Sequence, residues 1–442
     1  MLHSMMTFLA VAPSSDVTAT PDEVLSPYIY VFIVAWSVAF IMTPVMQSIA
    51  MYYHIIDEPD LVRKLHSSPV AYLGGVAVFL GWLAGLAVTQ FLHIHRIDPT
   101  LLHLHVPVSV VVSSSMIVIL GLFDDIHKTR PWIKIGTQVL AAVVLLYSHI
   151  GTHTTQIVLQ PLLDRMQIYA GGDPQLYHYF MVGTSCLLTV GLVVGCCNAT
   201  NLMDGLDGLC GGVTAVIASG FVFLAVHMAT VGGVGTVNTE GIRVVLGLAL
   251  LGGVLGFLPY NFNPASIFLG DTGSMFIGFA CATLIALMAE ERPKWFLASM
   301  VMFALPILDT LLALARRWVN RRPMFAADRH HFHHQLVARG FSVKQTVIIS
   351  YGLAIFFAVL GAAIVFMRTR YAIACYLVIF GSIVVAAYKM GMVHEKTRSN
   401  TLRSIGTAAA INSGTQIDPD GVMEVQSASA DESDVRESAG RR

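Results

Sequence analysis

The chain alternates long apolar runs with short polar segments over most of its length. The runs lie near 27–50, 71–92, 106–123, 133–150, 181–199, 207–230, 242–260, 273–289, 295–315, 346–367 and 370–390. Each approaches the roughly 20 residues a helix needs to cross the hydrocarbon core of a bilayer. Backbone polar groups in that medium must be satisfied within the element that carries them, which selects helices. The pattern therefore predicts an all-α, polytopic integral membrane protein of about eleven transmembrane helices. Residues 1–26 read as an N-terminal extracytoplasmic segment and 27–390 as the membrane domain. Residues 391–442, mostly Ser, Ala, Thr, Asp, Glu and Gly, read as a disordered tail. The first twelve residues are apolar but lack a basic n-region and a clear cleavage site, so they are not read as a cleaved signal peptide.

Composition agrees with this reading. The chain is 55% hydrophobic and 12% charged, with a mean hydropathy of +0.69, which excludes a soluble domain of this length. A net charge of -1 and the lack of a basic stripe with interleaved aromatics exclude a nucleic-acid partner. Cys186, Cys196, Cys197, Cys210, Cys281 and Cys375 lie in or beside apolar runs, with neither zinc nor disulfide spacing. They read as small core fillers.

Parity assigns the loops to sides. Loops near 51–70, 124–132, 200–206, 261–272 and 316–345 fall on one face together with the tail. That face holds Arg63, Lys64, Lys128, Arg130, Lys134, Arg316, Arg317, Arg321, Arg322, Arg329, Arg339 and Lys344. The other face holds fewer Lys and Arg, so the first is expected to be cytoplasmic. This puts the N-terminus outside and the C-terminus inside, in a cell inner membrane.

The same face collects the chemistry. Its second loop carries Asp124-Asp125, its third Asn201-Leu-Met-Asp204-Gly-Leu-Asp207-Gly208, and its fourth Asn261-Phe-Asn263-Pro264 followed by Gly270-Asp271-Thr-Gly273-Ser274. Acids at the edge of apolar spans are costly, roughly 2.5–3.5 kcal/mol each at the bilayer centre, which points to use. Asp204 and Asp207 are three apart and would share a face on a helical turn. Gly74-Gly75, at the start of a span, would allow close backbone approach, whether by a ligand or by a neighbouring helix. The fifth loop carries Asp328-Arg329-His330-His331-Phe332-His333-His334. A zinc site there would lack thiolates and a fixed i,i+4 geometry, and an oxyanion or diphosphate clamp fits better. Clustered carboxylates suit Mg²⁺, with Mn²⁺ the alternative ion, and basic residues around them suit a diphosphate. The residues point to Mg²⁺-dependent phosphoryl transfer from a nucleotide diphosphate to a lipid at the membrane surface.

In this order and spacing, from about Asp57 to Gly340, the motifs resemble the polyprenyl-phosphate N-acetylhexosamine-1-phosphate transferases, glycosyltransferase family 4. The Asp328-Arg-x-His-x-His-His334 form is similar to the undecaprenyl-phosphate N-acetylglucosamine-1-phosphate branch. The phospho-N-acetylmuramoyl-pentapeptide branch usually has three consecutive histidines after Ala-Pro, which this chain lacks. Gln335 departs from the pattern, standing where the first branch often has Arg.

The resemblance implies a role for each residue. Asp271 would be the principal Mg²⁺ ligand, with Asp124 and Asp125 deprotonating the lipid phosphate and positioning metal. Asp204 and Asp207 would hold nucleotide and metal-side water, and Asn198 and Asn261 the nucleotide. His331, His333, His334 and Arg329 would bind the donor diphosphate and sugar, and Lys64, His66 and Lys128 would touch phosphate. The implied partners are a UDP-sugar, undecaprenyl phosphate and membrane lipid, with a homodimer left open. The product would be a lipid-linked diphosphate sugar that starts a surface polysaccharide. A secondary transporter, the rival from another class, would place charge inside broken spans. Here the acids of these motifs sit at span ends on one face.

Overall fold

In the computed structural model the described residues are 20–57, 69–94, 106–156, 174–232, 237–290, 292–321 and 331–389. They form α1 (Pro21–Leu25) and a 3₁₀ turn, then α2 (Ile29–Tyr52), a two-residue hairpin of β1 (Ile56–Asp57) and β2 (Val70–Ala71), α3 (Gly74–Ile94), α4 (Val108–His127) and α5 (Pro131–Tyr147). There follow α6 (Pro174–Met203), α7 (Leu209–Gly232), α8 (Val237–Asn261), α9 (Gly270–Ala289), α10 (Pro293–Met302), α11 (Ala304–Val319), α12 (Phe332–Ala338), α13 (Val343–Val365) and α14 (Thr369–Lys389). The chain is thus an all-α polytopic membrane protein. Eight described helices are long and apolar enough to cross a membrane, and α10 with α11, bent by 73°, make a ninth if counted as one span. Two more apolar stretches, α5 and Arg370–Ser382, are shorter. Each expected run thus falls on an apolar helix or on the bent pair. The expected tail and most of the N-terminal segment lie outside the described residues. Thr20 and Glu23 close a capping box at the start of α1. The six cysteines are free thiols.

The centre of the bundle is α9. A helix apolar all round is buried all round, and every residue of α9 is buried except Asp271. It packs on α3, α4, α6, α8 and α10. Small residues set the spacing of these neighbours. A Cβ built on Gly75 would lie 2.1 Å from the Gly273 amide nitrogen, and one on Gly121 would lie 2.3 Å from the Thr272 Cα. Backbone-to-backbone approach of this kind replaces hydrophobic drive as the means of helix association within a bilayer. Gly74 and Gly75 therefore serve the second of the two uses the sequence allowed them: they make room for the start of α9.

The hairpin anchors the same region. Ala71 bridges Ile267 in parallel, and its carbonyl accepts from the Phe268 N–H at 2.8 Å. The Gly74 and Gly75 N–H groups donate to Phe268 and Leu269 carbonyls at 3.0 and 2.9 Å. The orphan donors at the start of α3 are thereby satisfied by the segment that leads into α9. The positions of the first and fourth loops are fixed together.

Candidate active site

Four chain segments meet at the N-terminal end of α9. The last turn of α4 brings Asp124 and Asp125, the first turn of α5 brings Lys134, the last turn of α6 brings Asn201, and α9 itself brings Asp271. Lys134 stands between two acids. Its Nζ lies 2.6 Å from Asp124 Oδ2 and 2.5 Å from Asp271 Oδ2. Asp271 Oδ1 accepts from the Asn201 amide at 2.8 Å, and the same nitrogen lies 3.0 Å from Ser274 Oγ. Asp124 Oδ1 accepts from the Thr129 N–H at 2.7 Å and from the Thr129 hydroxyl. One cation thus serves two carboxylates that stand 147 positions apart in the sequence, each oriented by neutral donors.

Asp125 faces the other way. Its Oδ1 accepts from the Asp271 N–H at 2.8 Å, and its Oδ2 from the Thr272 N–H at 3.1 Å and the Thr272 hydroxyl at 2.6 Å. It binds the free N–H groups at the head of α9, where the helix dipole favours an anion. Close fit here explains Gly270, whose φ is +73° and whose Cβ would sit 2.7 Å from Asp125 Oδ2.

The third loop departs from the expected geometry. Asp204 and Asp207 do not share a helical face, because α6 ends at Met203 and α7 begins at Leu209. Gly208, at φ +76°, turns the chain between them and α7. Asp207 Oδ2 accepts from Asn263 Nδ2 at 2.9 Å and from the Ala265 N–H at 3.1 Å. Asn261 is likewise taken up by loop bracing: its Oδ1 accepts from the Gly208 N–H at 3.1 Å and its Nδ2 donates to the Ile267 carbonyl at 3.0 Å. Asp204 alone of the five acids accepts no hydrogen bond from the described residues. Burial holds its carboxyl well above the usual range, and Asp271, Asp125 and Asp207 push it further. Asn198 sits one turn deeper on α6, donating to Gln138 Oε1 at 2.9 Å and to the Val194 carbonyl at 2.8 Å.

The histidine segment closes the rim. His331 and His333 are buried, with parallel rings 5.7 Å apart, and His334 lies 4.3 Å from His333. A Cβ on Gly205 would meet His333 Nε2 at 2.4 Å, so the fifth loop packs directly on the third. Burial first, then the His334 charge, lowers His333 to about 3, leaving it neutral at physiological pH. Lys128 caps α4 at φ +54° with its side chain exposed and outside the acid cluster. Lys64, His66 and Arg329 lie outside the described residues.

Hard oxygen donors around one cation suit Mg²⁺, which takes one or two carboxylates and completes its shell with phosphate and water. Asp124 and Asp271 already share a monovalent cation, the Lys134 ammonium, and the Asp204 carboxyl, which accepts no hydrogen bond from the described residues, is close enough to feel the Asp271 charge. Among the described residues no three acid, histidine or cysteine side chains already stand in metal-ligating array, so an ion would rest on the two acids that share Lys134 and on phosphate and water for the rest of its shell. The residues that would hold it are Asp271 and Asp124, with Asp204 near. Two residues of the site carry little to distinguish them in the sequence: Lys134 looks like one more side-determining charge, and Asn201 like a neutral member of its motif. The Asn201-x-x-Asp204 spacing across a helix end was the available signal.

An acid cluster with a captive cation and a histidine rim, at one end of a bundle of membrane helices, defines a membrane-embedded phosphotransfer enzyme. The profile of glycosyl transferase family 4 matches residues 107–289, which contain Asp124, Lys134, Asn201, Asp204 and Asp271. The chain is 30% identical over 387 residues to a probable undecaprenyl-phosphate N-acetylglucosaminyl 1-phosphate transferase of Bacillus subtilis, covering 86% of this chain and 97% of that protein. It is 31% identical over 347 residues to a decaprenyl-phosphate N-acetylglucosaminephosphotransferase of Mycobacterium tuberculosis, covering 73% and 78%. It is 28% identical over 350 residues to a phospho-N-acetylmuramoyl-pentapeptide-transferase of Desulforudis audaxviator, covering 75% and 97%. The chain belongs to the polyprenyl-phosphate N-acetylhexosamine-1-phosphate transferases, glycosyl transferase family 4, and is a phosphoglycosyl transferase.

Proposed function

We propose that this enzyme transfers N-acetylglucosamine-1-phosphate from its UDP donor to undecaprenyl phosphate on the cytoplasmic face of the inner membrane, starting a surface polysaccharide. The observation that carries this reading is the pair of carboxylates, Asp124 and Asp271, held on one cation at the mouth of a membrane bundle. The sugar is taken from the Bacillus and Mycobacterium relatives, whose names specify N-acetylglucosamine. The face is taken from the Lys and Arg bias of the loops.

In this reading an oxygen of the lipid phosphate forms a bond to the β-phosphorus of the donor. The bond from that phosphorus to the α,β-bridging oxygen breaks, and UMP leaves with the electron pair. Bound Mg²⁺ supplies charge neutralisation for the phosphate oxygens. Asp124 and Asp271 provide its carboxylates, while Asn201 and Thr129 keep them aimed. Asp125 fixes the head of α9 and so the position of Asp271. Asp204, which accepts no hydrogen bond from the described residues, takes the water or hydroxyl on the donor side. His331, His333 and His334 line the donor side of the rim, with Arg329 assigned there by resemblance.

The test is to incubate membranes containing the enzyme with undecaprenyl phosphate and, in parallel, labelled UDP-N-acetylglucosamine or UDP-N-acetylmuramoyl-pentapeptide. UMP release and lipid-extractable label are expected with the first donor only, and are expected to vanish in Asp271→Asn. Label transferred from the pentapeptide donor instead would overturn the choice of sugar. Full activity of Asp271→Asn would remove the acid pair from the chemistry.

A further inference from the structure

The chain carries an acid that the phosphotransfer reading has not used. Asp309 lies in the apolar run Ala304-Leu-Pro-Ile-Leu-Asp-Thr-Leu-Leu on α11, the second arm of the bent pair. It is only 5% exposed. An ionisable residue at such a depth marks a functional position and calls for a named partner. Among the described residues its partners are in the histidine segment. Asp309 Oδ1 accepts from the Phe332 N–H at 2.8 Å. Asp309 Oδ2 lies 3.2 Å from His331 Nδ1 and 4.0 Å from His333 Nδ1.

The bend makes this possible. α10 packs along α13, whereas α11, turned by 73°, packs on α6. Asp309 is thereby carried to the segment that follows α11, and its carboxylate caps the first N–H of α12. His331 Nδ1 stands at ion-pair distance from it but off the hydrogen-bonding angle in this conformation, so that a small turn of the ring would make the bond, while His333 Nδ1 is too far to bond. A carboxylate facing Nδ1 fixes ring orientation and keeps the proton on that nitrogen, which commits Nε2 to the opposite side. For His333 that opposite side is the backbone at Gly205, next to Asp204.

We propose that Asp309 is a positioning residue, which acts through His331 to hold its Nε2 toward the donor diphosphate. It does not itself touch substrate. This rests on the donor-side role given above to the histidines, and the experiment separates the two. Asp309→Asn keeps an amide oxygen for the Phe332 N–H but turns an N–H₂ toward His331 Nδ1, which reverses the preferred tautomer.

The full-length enzyme in detergent is assayed for UMP release with UDP-N-acetylglucosamine and a polyprenyl phosphate. Loss of an orienting partner of this kind typically costs roughly 10–100-fold, and that fall in kcat/KM is expected for Asp309→Asn, with melting unchanged within a few degrees. In a His331→Ala background the same substitution is expected to cost less than about twofold, because its effect runs through the missing ring. A purely structural role would multiply through undiminished, and that result, or wild-type activity of Asp309→Asn while His331→Ala is inactive, overturns the inference alone. Wild-type activity of His331→Ala would overturn the donor-side role and this inference with it. Should Asp309→Asn not fold, His331→Asn carries the test: it keeps an amide near the Nδ1 position and lacks Nε2. It is expected to fold and lose activity, and wild-type activity would overturn the proposal.

Discussion

Removing the charge of Lys134 is expected to expose how the acid pair is held. Lys134→Met keeps the length and apolar stem and deletes the ammonium. The two contacts, at 2.6 and 2.5 Å, are each worth about 6 kcal/mol of gross attraction at an effective dielectric of about 20. Desolvation offsets most of this, and breaking a buried pair typically costs a net 3–5 kcal/mol. The Lys134, Asp124 and Asp271 side chains are 21%, 9% and 30% exposed, so screening brings the expected loss to about 2–4 kcal/mol. A divalent ion is expected to reverse the effect. In the parent enzyme it must displace the ammonium, whereas in the variant the paired carboxylates await it. A site at 100 times its Kd gains about 2.7 kcal/mol, and the Mg²⁺-dependent rise in melting temperature is expected to be larger in Lys134→Met than in the parent. The assay is thermal unfolding of purified protein in detergent, with EDTA and with Mg²⁺. Equal stability in EDTA, or equal Mg²⁺ increments in the two proteins, would refute the reasoning.

Two further outcomes follow from the same geometry. Asp204 has a folded pKa raised above its unfolded value, so it binds its proton more tightly when folded and costs stability as pH rises through the folded pKa. In EDTA, Asp204→Asn is expected to melt above the parent at neutral pH and to lose that advantage toward about pH 4, while losing activity. A gap that stays constant with pH would count against the burial assignment. Gly75→Ala places a methyl against backbone rather than against a flexible side chain. It is expected to cost about 1–3 kcal/mol and, by displacing the head of α9, to lower UMP release. Wild-type melting of that variant would mean that α3 and α9 are not in the contact described.

Much of this was legible in the chain, and the remainder has identifiable causes. Apolar runs mark helices because a bilayer admits little else, and acids at run ends stand out because their burial is expensive. Hence Asp124, Asp204 and Asp271 could be collected from parity alone. What parity could not supply was which atoms each acid meets. Asp125 and Asp124 are adjacent and look alike, yet successive positions on a helix point in different directions, and one faces a helix terminus while the other faces Lys134. Asn261 and Asp207 look like nucleotide contacts, but their hydrogen bonds hold the third loop to the fourth. The expectation of a shared helical face for Asp204 and Asp207 failed at Gly205 and Gly208, which stop the helix. Asp309 was hidden inside an apolar run whose bend leaves no strong mark in the sequence.

Because α9 has neighbours on every side, displacing it would disturb each of the helices packed on it. The acid at its tip is therefore a fixed reference point, like a post set in concrete. The elements with fewer neighbours, chiefly the arm beyond the bend, are the ones whose displacement would leave that reference point in place.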